Sequence, residues 1–498
     1  MAAVLLGLML AFCAARSSGQ STSHLSIDEL RRLRLPDVFL EKVESVAPNS
    51  QRNRGGGGHV RVLGVIGGHV RFELLLPDAW NGRFVMGGGG GFVGSIQNAA
   101  QDSVNRGYAT VGTDTGHESS GLNASWAYDN VEAQLNFGYL AVHRTAEVAK
   151  ALTRAYYRTE PAYSYFVGCS RGGGQAMMES QRYPSDFDGI VAGAPAFNWT
   201  GFSAMAVSVA KALYPDRAHL DHSVLDRSAL ERLRQSIMDQ CDAQDGLKDG
   251  IVADPPSAHF DLSKVPGLTD EQRRAIAAIY GGARVGQTVI YPGYSTGAEC
   301  DVDNWLAWIV GPAPALLKSD DAPDLMFGFG TQVFKYFVFD RPDWDYSTYD
   351  LAHYPQDTRL AASFLNATNP DLGAFKARKG KLIIWHGWAD PALPAQATAD
   401  YYQQVCHHDP AARDYCRLFM IPGCLHCGGG PGASEVDWLA TISDWVEHGK
   451  APDKLIASKR ANGKLVMTRP LYPYPKYPVY KGTGDPNKAD SFISKSAR

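Results

Sequence analysis

The sequence predicts an α/β protein with a mostly parallel sheet and an inserted domain, on three observations. Short apolar segments rich in β-branched residues alternate with helical segments, which is typical of a parallel sheet covered by helices. This alternation breaks down between about residues 197 and 375, where aromatic, proline and acidic residues mix without a period. The chain has 498 residues, a length that suits one large domain carrying an insertion.

The predicted elements lie on either side of the irregular stretch. Residues 20–197 and 376–498 form the main domain, and residues 198–375 form the insertion, which we call the lid. The last thirty residues are rich in Pro, Tyr and Gly, and this composition predicts surface coil. The expected strands are 60–65, 70–76, 83–86, 109–112, 164–167, 189–192, 381–385 and 417–421, and the expected helices are 132–154, 175–182 and 395–405.

Composition excludes two classes of function. The chain carries 48 Lys and Arg against 52 Asp and Glu, a formal charge of −4. No basic surface is available for nucleic acid, and no basic helix for a membrane surface. Residues 1–15 are apolar but too short to span a bilayer, so we expect residues 1–19 to be a signal peptide and the protein to be secreted or periplasmic. A buried first helix is the alternative.

A candidate nucleophile stands in a G-x-S-x-G motif at residues 168–172. The motif follows an apolar strand directly and precedes a helical segment. This context is the one that the nucleophile elbow of the α/β-hydrolase fold requires, because a sharp strand-to-helix turn exposes the serine oxygen at the sheet edge. Ser170 is therefore the candidate nucleophile, with an ordinary glycine-rich turn as the alternative.

A nucleophilic serine needs a base and an orienting acid, which follow it in this fold in the order acid, then histidine. Asp390 follows the predicted strand 381–385, and His426 follows the predicted strand 417–421. The long separation between Ser170 and Asp390 coincides with the lid, whereas Asp390 and His426 lie close in sequence. The alternatives are a helix N-cap for Asp390 and a surface turn for His426.

A glycine run at residues 87–91 follows another predicted strand. Backbone without side chains can approach a developing oxyanion, and the amide after the nucleophile, that of Arg171, would be the second donor. Phosphate binding is the alternative for such a run, but no G-K-[ST] motif accompanies it.

The cysteines beside the candidate catalytic residues carry a family resemblance. Cys169 precedes Ser170 and Cys427 follows His426, and this combination resembles the tannase and feruloyl esterase family, which includes mono(2-hydroxyethyl) terephthalate hydrolase. The resemblance extends over NGRFVMGGGGGFVG, GYATVGTDTGH, GCSRGGGQAMMESQRYPSDFDGIVAGAPA, CDAQDGLKDGIVADP, KLIIWHGWADPALP, PGCLHCGGGPG, TRPLYPYP and YKGTGD.

The resemblance implies an α/β-hydrolase fold and a role for each candidate residue. Ser170 would be the nucleophile, His426 the general base and then acid, and Asp390 its orienting carboxylate. The backbone N–H groups of Gly91 and Arg171 would form the oxyanion hole. The resemblance also implies a disulfide between Cys169 and Cys427.

A calcium site is expected in the lid. Three carboxylates and two glycines within residues 241–251 offer the hard oxygen ligands that calcium prefers, although a solvated acidic turn has the same composition. The resemblance implies side-chain ligation by Asp242, Asp245 and Asp249, and carbonyl ligation by Leu247 and Ile251. The calcium would be structural, and no organic cofactor is expected.

Substrate choice should reside in the lid, since fold and triad do not set specificity. Its aromatic residues could form an apolar slot for an aromatic acyl group, and Trp308 and Phe329 are the chosen candidates among Phe197, Trp199, Trp305, Trp308, Phe327, Phe329, Phe334 and Tyr336. Residues 316–336 contain no arginine, which favours an uncharged phenolic ester over a terephthalate half-ester. An arginine elsewhere in the fold would weaken that preference.

The expected function is a secreted serine carboxylesterase that hydrolyses esters of hydroxycinnamic or gallic acid through an acyl-enzyme. Small aromatic esters, including plant-polysaccharide- or tannin-linked ones, would be its partners. A terephthalate half-ester hydrolase of the same family is the alternative. A non-catalytic binding protein on a hydrolase scaffold is the alternative from another class, but it would not need the full set of catalytic groups.

Two departures from the family pattern stand out. Gly174 stands where the family carries Arg, His or Gln, so the helix after the nucleophile could start differently. The other cysteines have no assigned partners: Cys241 with Cys300 and Cys406 with Cys416 are open pairings, and Cys424 is the candidate for a free thiol.

Overall fold

The computed structural model describes residues 24–48, 57–315 and 322–496. The predicted signal peptide lies outside these residues. Within the described residues, nine strands form one large sheet. They are β1 (Val38–Val46), β2 (His59–Ile66), β3 (Val70–Pro77), β4 (Arg83–Gly87), β5 (Ala109–Thr113), β6 (Tyr163–Cys169), β7 (Gly189–Gly193), β10 (Lys381–Gly387) and β11 (Cys416–Ile421).

The order of strands across the sheet is β1-β2-β3-β5-β4-β6-β7-β10-β11. The pairs from β1 to β5 are antiparallel, and every pair from β5 to β11 is parallel. Strands β5 and β7 are buried along their whole length, as expected for parallel strands covered on both faces. The mostly parallel sheet and the α/β-hydrolase fold predicted from the sequence are therefore confirmed.

Helices cover both faces of the sheet. Along β10, Leu382 and Ile384 join the core that includes the lid, whereas Ile383 and Trp385 join a second core on the opposite face. The helices are α1 (Ile27–Arg32), α2 (Val131–Leu135), α3 (Ala141–Tyr157), α4 (Arg171–Arg182), α5 (Trp199–Leu213), α6 (Arg227–Cys241), α7 (Asp270–Gly281), α8 (Val302–Trp305), α9 (Leu325–Val333), α10 (Tyr354–Asp357), α11 (Arg359–Leu365), α12 (Gly373–Ala377), α13 (Ala395–His408) and α14 (Trp438–His448).

The lid leaves the sheet after β7 and returns at β10. These two strands are parallel neighbours, so the intervening chain leaves the sheet at the carboxyl end of β7, at Gly193, and re-enters it at the amino end of β10, at Lys381. It contains α5 to α12 and a small hairpin of β8 (Ala283–Val285) and β9 (Thr288–Tyr291). Because β7 lies beside β6, the lid leaves the sheet next to the carboxyl end of β6.

The prediction of coil for the last thirty residues was wrong. Within this region, β14 (Lys476–Tyr480) pairs antiparallel with β15 (Phe492–Ser496). Just before it, β12 (Leu455–Ala461) forms a hairpin with β13 (Lys464–Leu471), whose end reaches into the region. Proline is tolerated in β14 because a strand of a two-stranded ribbon has an open edge. Tyr and Val alternate with Pro and Lys there, and that period-2 pattern outweighs the turn-forming composition.

Candidate active site

Ser170 lies at the turn between β6 and α4. Its backbone has φ 61° and ψ −124°, which a non-glycine residue adopts only when the surrounding structure enforces it. The Ser170 N–H donates to Gly193 O at 3.0 Å, and its carbonyl accepts from Ala196 N at 2.9 Å and Gly174 N at 3.0 Å. The strained turn is thus held by the end of β7 and the segment after it, as the nucleophile-elbow prediction requires.

The glycine run after β4 packs directly against this turn. A Cβ atom on Gly88 would lie 2.5 Å from Gly172 Cα, so the two backbones approach more closely than any side chain would permit. Gln175 of α4 adds a hydrogen bond from Gly89 N to its Oε1 at 3.1 Å. The two segments predicted to supply the oxyanion donors are therefore in backbone contact.

Gly91 and Arg171 both line the cavity that contains Ser170. The amides beside Gly91 are bonded inside the protein, Gly90 N to Gln97 Oε1 at 2.8 Å and Phe92 N to Gly121 O at 2.7 Å. Arg171 is the first residue of α4, where backbone N–H groups have no intrahelical acceptor. The backbone amides of Gly91 and Arg171 thus belong to residues at the cavity, where an N–H group can donate a hydrogen bond to a ligand.

Asp390 and His426 form a hydrogen-bonded pair. His426 Nδ1 lies 2.7 Å from Asp390 Oδ2, and the backbone amides of Ala392 and Leu393 donate to Asp390 Oδ1 at 2.7 and 3.0 Å. Asp390 is fully buried. Burial alone would raise the pKa of Asp390, but the adjacent histidines and their hydrogen bonds hold it well below its ordinary value. The carboxylate is therefore ionised whenever His426 is bonded to it.

A second histidine contacts the same carboxylate and was missed in the sequence. His386, at the end of β10, is buried and places Nε2 3.1 Å from Asp390 Oδ2. Its Nδ1 lies 2.8 Å from Thr398 Oγ1 on α13. The available signal was a histidine at the carboxyl end of an apolar strand, four residues before the candidate acid.

Ser170 and His426 line one cavity together with aromatic lid residues. Trp308 stands edge-on to the His426 ring, with ring centroids 5.4 Å apart, and is nearly parallel to Phe329 at 6.2 Å. Trp308 belongs to a single π-helical turn, Leu306–Val310, a feature frequent at functional sites. The remaining residues of the cavity wall are Ala196, Asn198, Trp199, Phe202, Tyr291, Ala392 and Leu393.

Not all the aromatic candidates reach this cavity. Trp199, Trp308 and Phe329 line it, whereas Trp305 and Phe334 are completely buried in the hydrophobic core. Both residues singled out from the sequence, Trp308 and Phe329, therefore stand beside the candidate catalytic groups.

The side chain of Arg171 is a second feature that sequence reasoning missed, since only its amide was considered. The guanidinium is buried, lies 4.2 Å from the Phe137 ring centroid, and donates through Nη2 to the Phe137 and Gly138 carbonyl oxygens. Burial lowers the pKa of Arg171 to about 9. Among the residues that the structure describes, no carboxylate forms an ion pair with it, and Nε has no hydrogen-bond partner.

A disulfide links Cys169 and Cys427, as the resemblance implied, with Cα atoms 5.9 Å apart. It joins the residue before Ser170 to the residue after His426, across 258 positions of sequence. The Cys241–Cys300 and Cys406–Cys416 disulfides are not formed. The free thiols are Cys241, Cys300, Cys406, Cys416 and Cys424.

The expected calcium ligands lie in one loop, and their carboxylates are bonded within the protein. Asp242 Oδ1 accepts from Asp249 N and Gly250 N, and Asp245 accepts from two further backbone amides. Asp249 Oδ2 forms an ion pair with Arg469 at 3.0 Å. Leu247 and Ile251 lie in the same loop. The donors suit calcium chemically, and the described residues contain no group of three His, Cys, Asp or Glu side chains that could hold a metal ion without backbone carbonyl ligands.

No helix within the described part of the chain is long and apolar enough to cross a membrane.

Comparison with known proteins identifies the family. A family model described as tannase and feruloyl esterase matches residues 58–495. Mono(2-hydroxyethyl) terephthalate hydrolase from Piscinibacter sakaiensis is 31% identical, with 85% of this chain and 81% of that protein aligned. Feruloyl esterase B from Aspergillus niger is also 31% identical, with 84% and 83% aligned. The crystal structure of feruloyl esterase B from Aspergillus oryzae, 24% identical, superposes with a TM-score of 0.81 over 94% of this chain and 100% of that one, which supports the fold. The chain therefore belongs to the tannase and feruloyl esterase family and is a carboxylic ester hydrolase.

Proposed function

We propose that the protein is a serine esterase that hydrolyses esters of aromatic acids, of the hydroxycinnamic or gallic type, through an acyl-enzyme. The observation that carries the proposal is the presence of Ser170 and His426 in one aromatic cavity, with His426 bonded to the buried Asp390. A non-catalytic binding protein would have no use for a strained serine beside such a pair.

Each group of the site has a defined role in this mechanism. His426 donates a hydrogen bond from Nδ1–H to Asp390, so its Nε2 can accept the proton of Ser170 as the serine oxygen attacks the ester carbonyl. The negative charge that develops on the carbonyl oxygen is stabilised by the backbone N–H groups of Gly91 and Arg171. His426 then protonates the departing alcohol, and water releases the acid from Ser170 by the reverse sequence.

The aromatic walls support an aromatic acyl group. Trp308 and Phe329 are nearly parallel faces beside His426, a shape that suits a planar ring. Two relatives with aligned sequences are named as a feruloyl esterase and a terephthalate half-ester hydrolase, whose substrates both contain an aromatic acid. Plant-polysaccharide- or tannin-linked esters would be the natural sources of such groups.

A serine-reactive fluorophosphonate tests the serine mechanism. The wild-type protein should be labelled at Ser170, and the Ser170→Ala variant should be neither labelled nor active while keeping its melting temperature. The variant should lose at least about a thousandfold in kcat, because removal of the nucleophile leaves only binding and oxyanion stabilisation. Labelling elsewhere, or activity that survives in Ser170→Ala, would overturn the mechanism.

A second candidate, hydrolysis of an aromatic half-ester, is favoured by the buried Arg171. Arg171 lines the cavity, and a positive charge without a carboxylate partner among the described residues would favour a substrate with a free carboxylate. The activities of wild type and Arg171→Met, which removes the charge and keeps an unbranched side chain, should be compared on methyl ferulate, methyl gallate and a terephthalate half-ester. A selective loss on the half-ester assigns that substrate, whereas equal losses on all three leave the phenolic esters as the assignment.

We also propose that the protein is exported and that its lid binds structural calcium. Export is supported by the apolar residues 1–15, and N-terminal sequencing of protein from the host's medium or periplasm should find residues 1–19 removed.

Calcium binding is supported by the oxygen chemistry of Asp242, Asp245 and Asp249, and it requires Asp249 to exchange Arg469 for the ion. Chelation should lower the melting temperature and added calcium should restore it. An unchanged melt would remove calcium from the proposal.

A further inference from the structure

Asp390 accepts hydrogen bonds from two histidines at one oxygen. His426 Nδ1 and His386 Nε2 lie 2.7 and 3.1 Å from Oδ2, while the amides of Ala392 and Leu393 donate to Oδ1. These four bonds use the hydrogen-bonding capacity of the carboxylate. His426 lines the cavity, whereas His386 is buried behind the acid, so any effect of His386 on the reaction must pass through Asp390.

The tautomer of His386 follows from its two partners. An ionised carboxylate can only accept, so His386 must donate from Nε2. In the neutral ring Nδ1 is then an acceptor, and the hydroxyl of Thr398, 2.8 Å away, can donate to it. Thr398 is itself buried on α13. The network therefore runs from the Thr398 hydroxyl through His386 to Asp390.

The other ionisable groups that sense Asp390 carry no charge at neutral pH. Burial, together with the Asp390 charge, raises the pKa of Cys424 to about 12. Burial first and the same charge second raise the pKa values of Tyr291 and Tyr294 above their ordinary value. The two histidines, with the backbone amides of Ala392 and Leu393, are therefore the described groups that stabilise the negative charge of Asp390.

We propose that His386, held by Thr398, is a positioning residue that fixes the rotation of the Asp390 carboxylate and withdraws part of its charge from His426. This inference rests on the proposed function, because His386 affects the reaction only through Asp390 and the catalytic role proposed for His426. Without the His386 bond, Oδ2 would act on His426 alone and hold its proton more strongly. The carboxylate would also lose one of the contacts that orient it.

Four variants test this role. His386→Leu removes both hydrogen bonds, whereas His386→Gln can place an amide N–H close to the position of Nε2. Thr398→Val removes the hydroxyl at nearly constant shape. His143→Leu is the matched control, since His143 also bonds a carboxylate, that of Asp186 at 2.6 Å, but does not line the cavity.

His386→Leu should lower kcat about ten- to a hundredfold, the range typical of groups that orient a functional histidine or carboxylate from behind. KM should stay nearly constant, and the acid limb of the kcat/KM profile should move to higher pH. His386→Gln should restore most of kcat and the original acid limb. Thr398→Val should lie between these two, and His143→Leu should match wild type in both readouts.

The network also has a test that needs no substrate. Nitrogen-15 spectra of histidine-labelled wild type and His386→Gln should differ by the signals of one histidine, and those signals should be typical of a neutral ring protonated at Nε2. The melting temperature establishes that each variant is folded.

Three results would overturn the inference: an acid limb that does not move in folded His386→Leu, a His386→Gln variant no better than His386→Leu, or a His386 ring protonated at Nδ1. Failure of the proposed function is a different result, because wild type itself would then neither hydrolyse esters nor react with the phosphonate, whatever the nitrogen spectra show.

Discussion

Gly174 shows how one residue adapts the helix after the nucleophile. A Cβ atom at this position would collide with the carbonyl oxygen of Ala196, whose own amide donates to Ser170 O. Helix α4 nevertheless starts at Arg171 and continues without interruption to Arg182. The departure from the family pattern at this position is thus accommodated by close packing against the segment that holds the serine turn.

Gly174→Ala should therefore destabilise the protein by about 1–3 kcal/mol, the usual range for an overpacked site, and should lower kcat because the contact partner also supports Ser170. Gly281→Ala is the control, since the space around Gly281 at the end of α7 is open and alanine favours a helix. Chemical denaturation of both variants gives the comparison. Equal stability of the two would contradict the close packing at Gly174.

At the scale of elements, the disulfide connects the β6–α4 turn to the loop after β11. The two strands that precede these segments are separated in the sheet by β7 and β10, so the covalent link spans several strands at their carboxyl ends. It fixes the nucleophile and the histidine relative to each other without relying on the packing of the lid.

The double variant Cys169→Ser/Cys427→Ser should lose up to about 5 kcal/mol of stability, since a long closed loop is released in the unfolded chain. Its kcat should also fall, because the Ser170 and His426 segments are no longer joined. Reductant should bring wild type to the level of the variant in melting temperature and activity, and should leave the variant unchanged, since the other five described cysteines are free thiols. A wild type that is indifferent to complete reduction would refute the role.

At the scale of the whole molecule, the lid carries buried acids that make stability depend on pH. Burial raises the pKa of Asp324 to about 8, although Phe327 N and the Tyr214 hydroxyl donate to it. Burial likewise raises the pKa of Glu299 to about 7. Between about pH 4, where such groups titrate in an unfolded chain, and these higher values, the folded protein binds more protons than the unfolded one. Stability therefore falls as pH rises through this window.

Asp324→Asn should flatten this dependence. Asparagine can accept from Phe327 N and donate to the Tyr214 oxygen, yet it does not ionise in either state. The slope that one such acid contributes is at most about 1.4 kcal/mol per pH unit. Melting temperatures from pH 5 to pH 8 should fall less steeply for Asp324→Asn than for wild type or for Asp343→Asn, a change at an exposed lid residue. Parallel curves would show that Asp324 does not titrate in this range.

The parts of the site that the sequence predicted are those whose signals are local. The strand, the G-x-S-x-G motif and the helix are contiguous around Ser170, and Asp390 and His426 each follow their strand directly. The role of His386 depends instead on the packing of α13, which brings Thr398 to its other nitrogen. No local pattern reports such a contact.

The same distinction explains the differences in fold. Central strands of the large sheet, such as β7 and β10, have continuous apolar runs. The terminal hairpins depend instead on pairs such as Val479 with Ile493, which lie in a segment rich in turn-forming residues. The side chain of Arg171 is a similar case, because its carbonyl partners belong to the π-helical turn between α2 and α3.

The position of the disulfide also makes the whole lid part of a covalent ring. Every residue from 198 to 375 lies between Cys169 and Cys427 in the chain, so a single cut by a protease in the lid opens the ring without releasing either piece. The two pieces would migrate together on a non-reducing gel and separate under reduction. An enzyme that works where proteases are abundant could in this way survive a nick as one connected molecule.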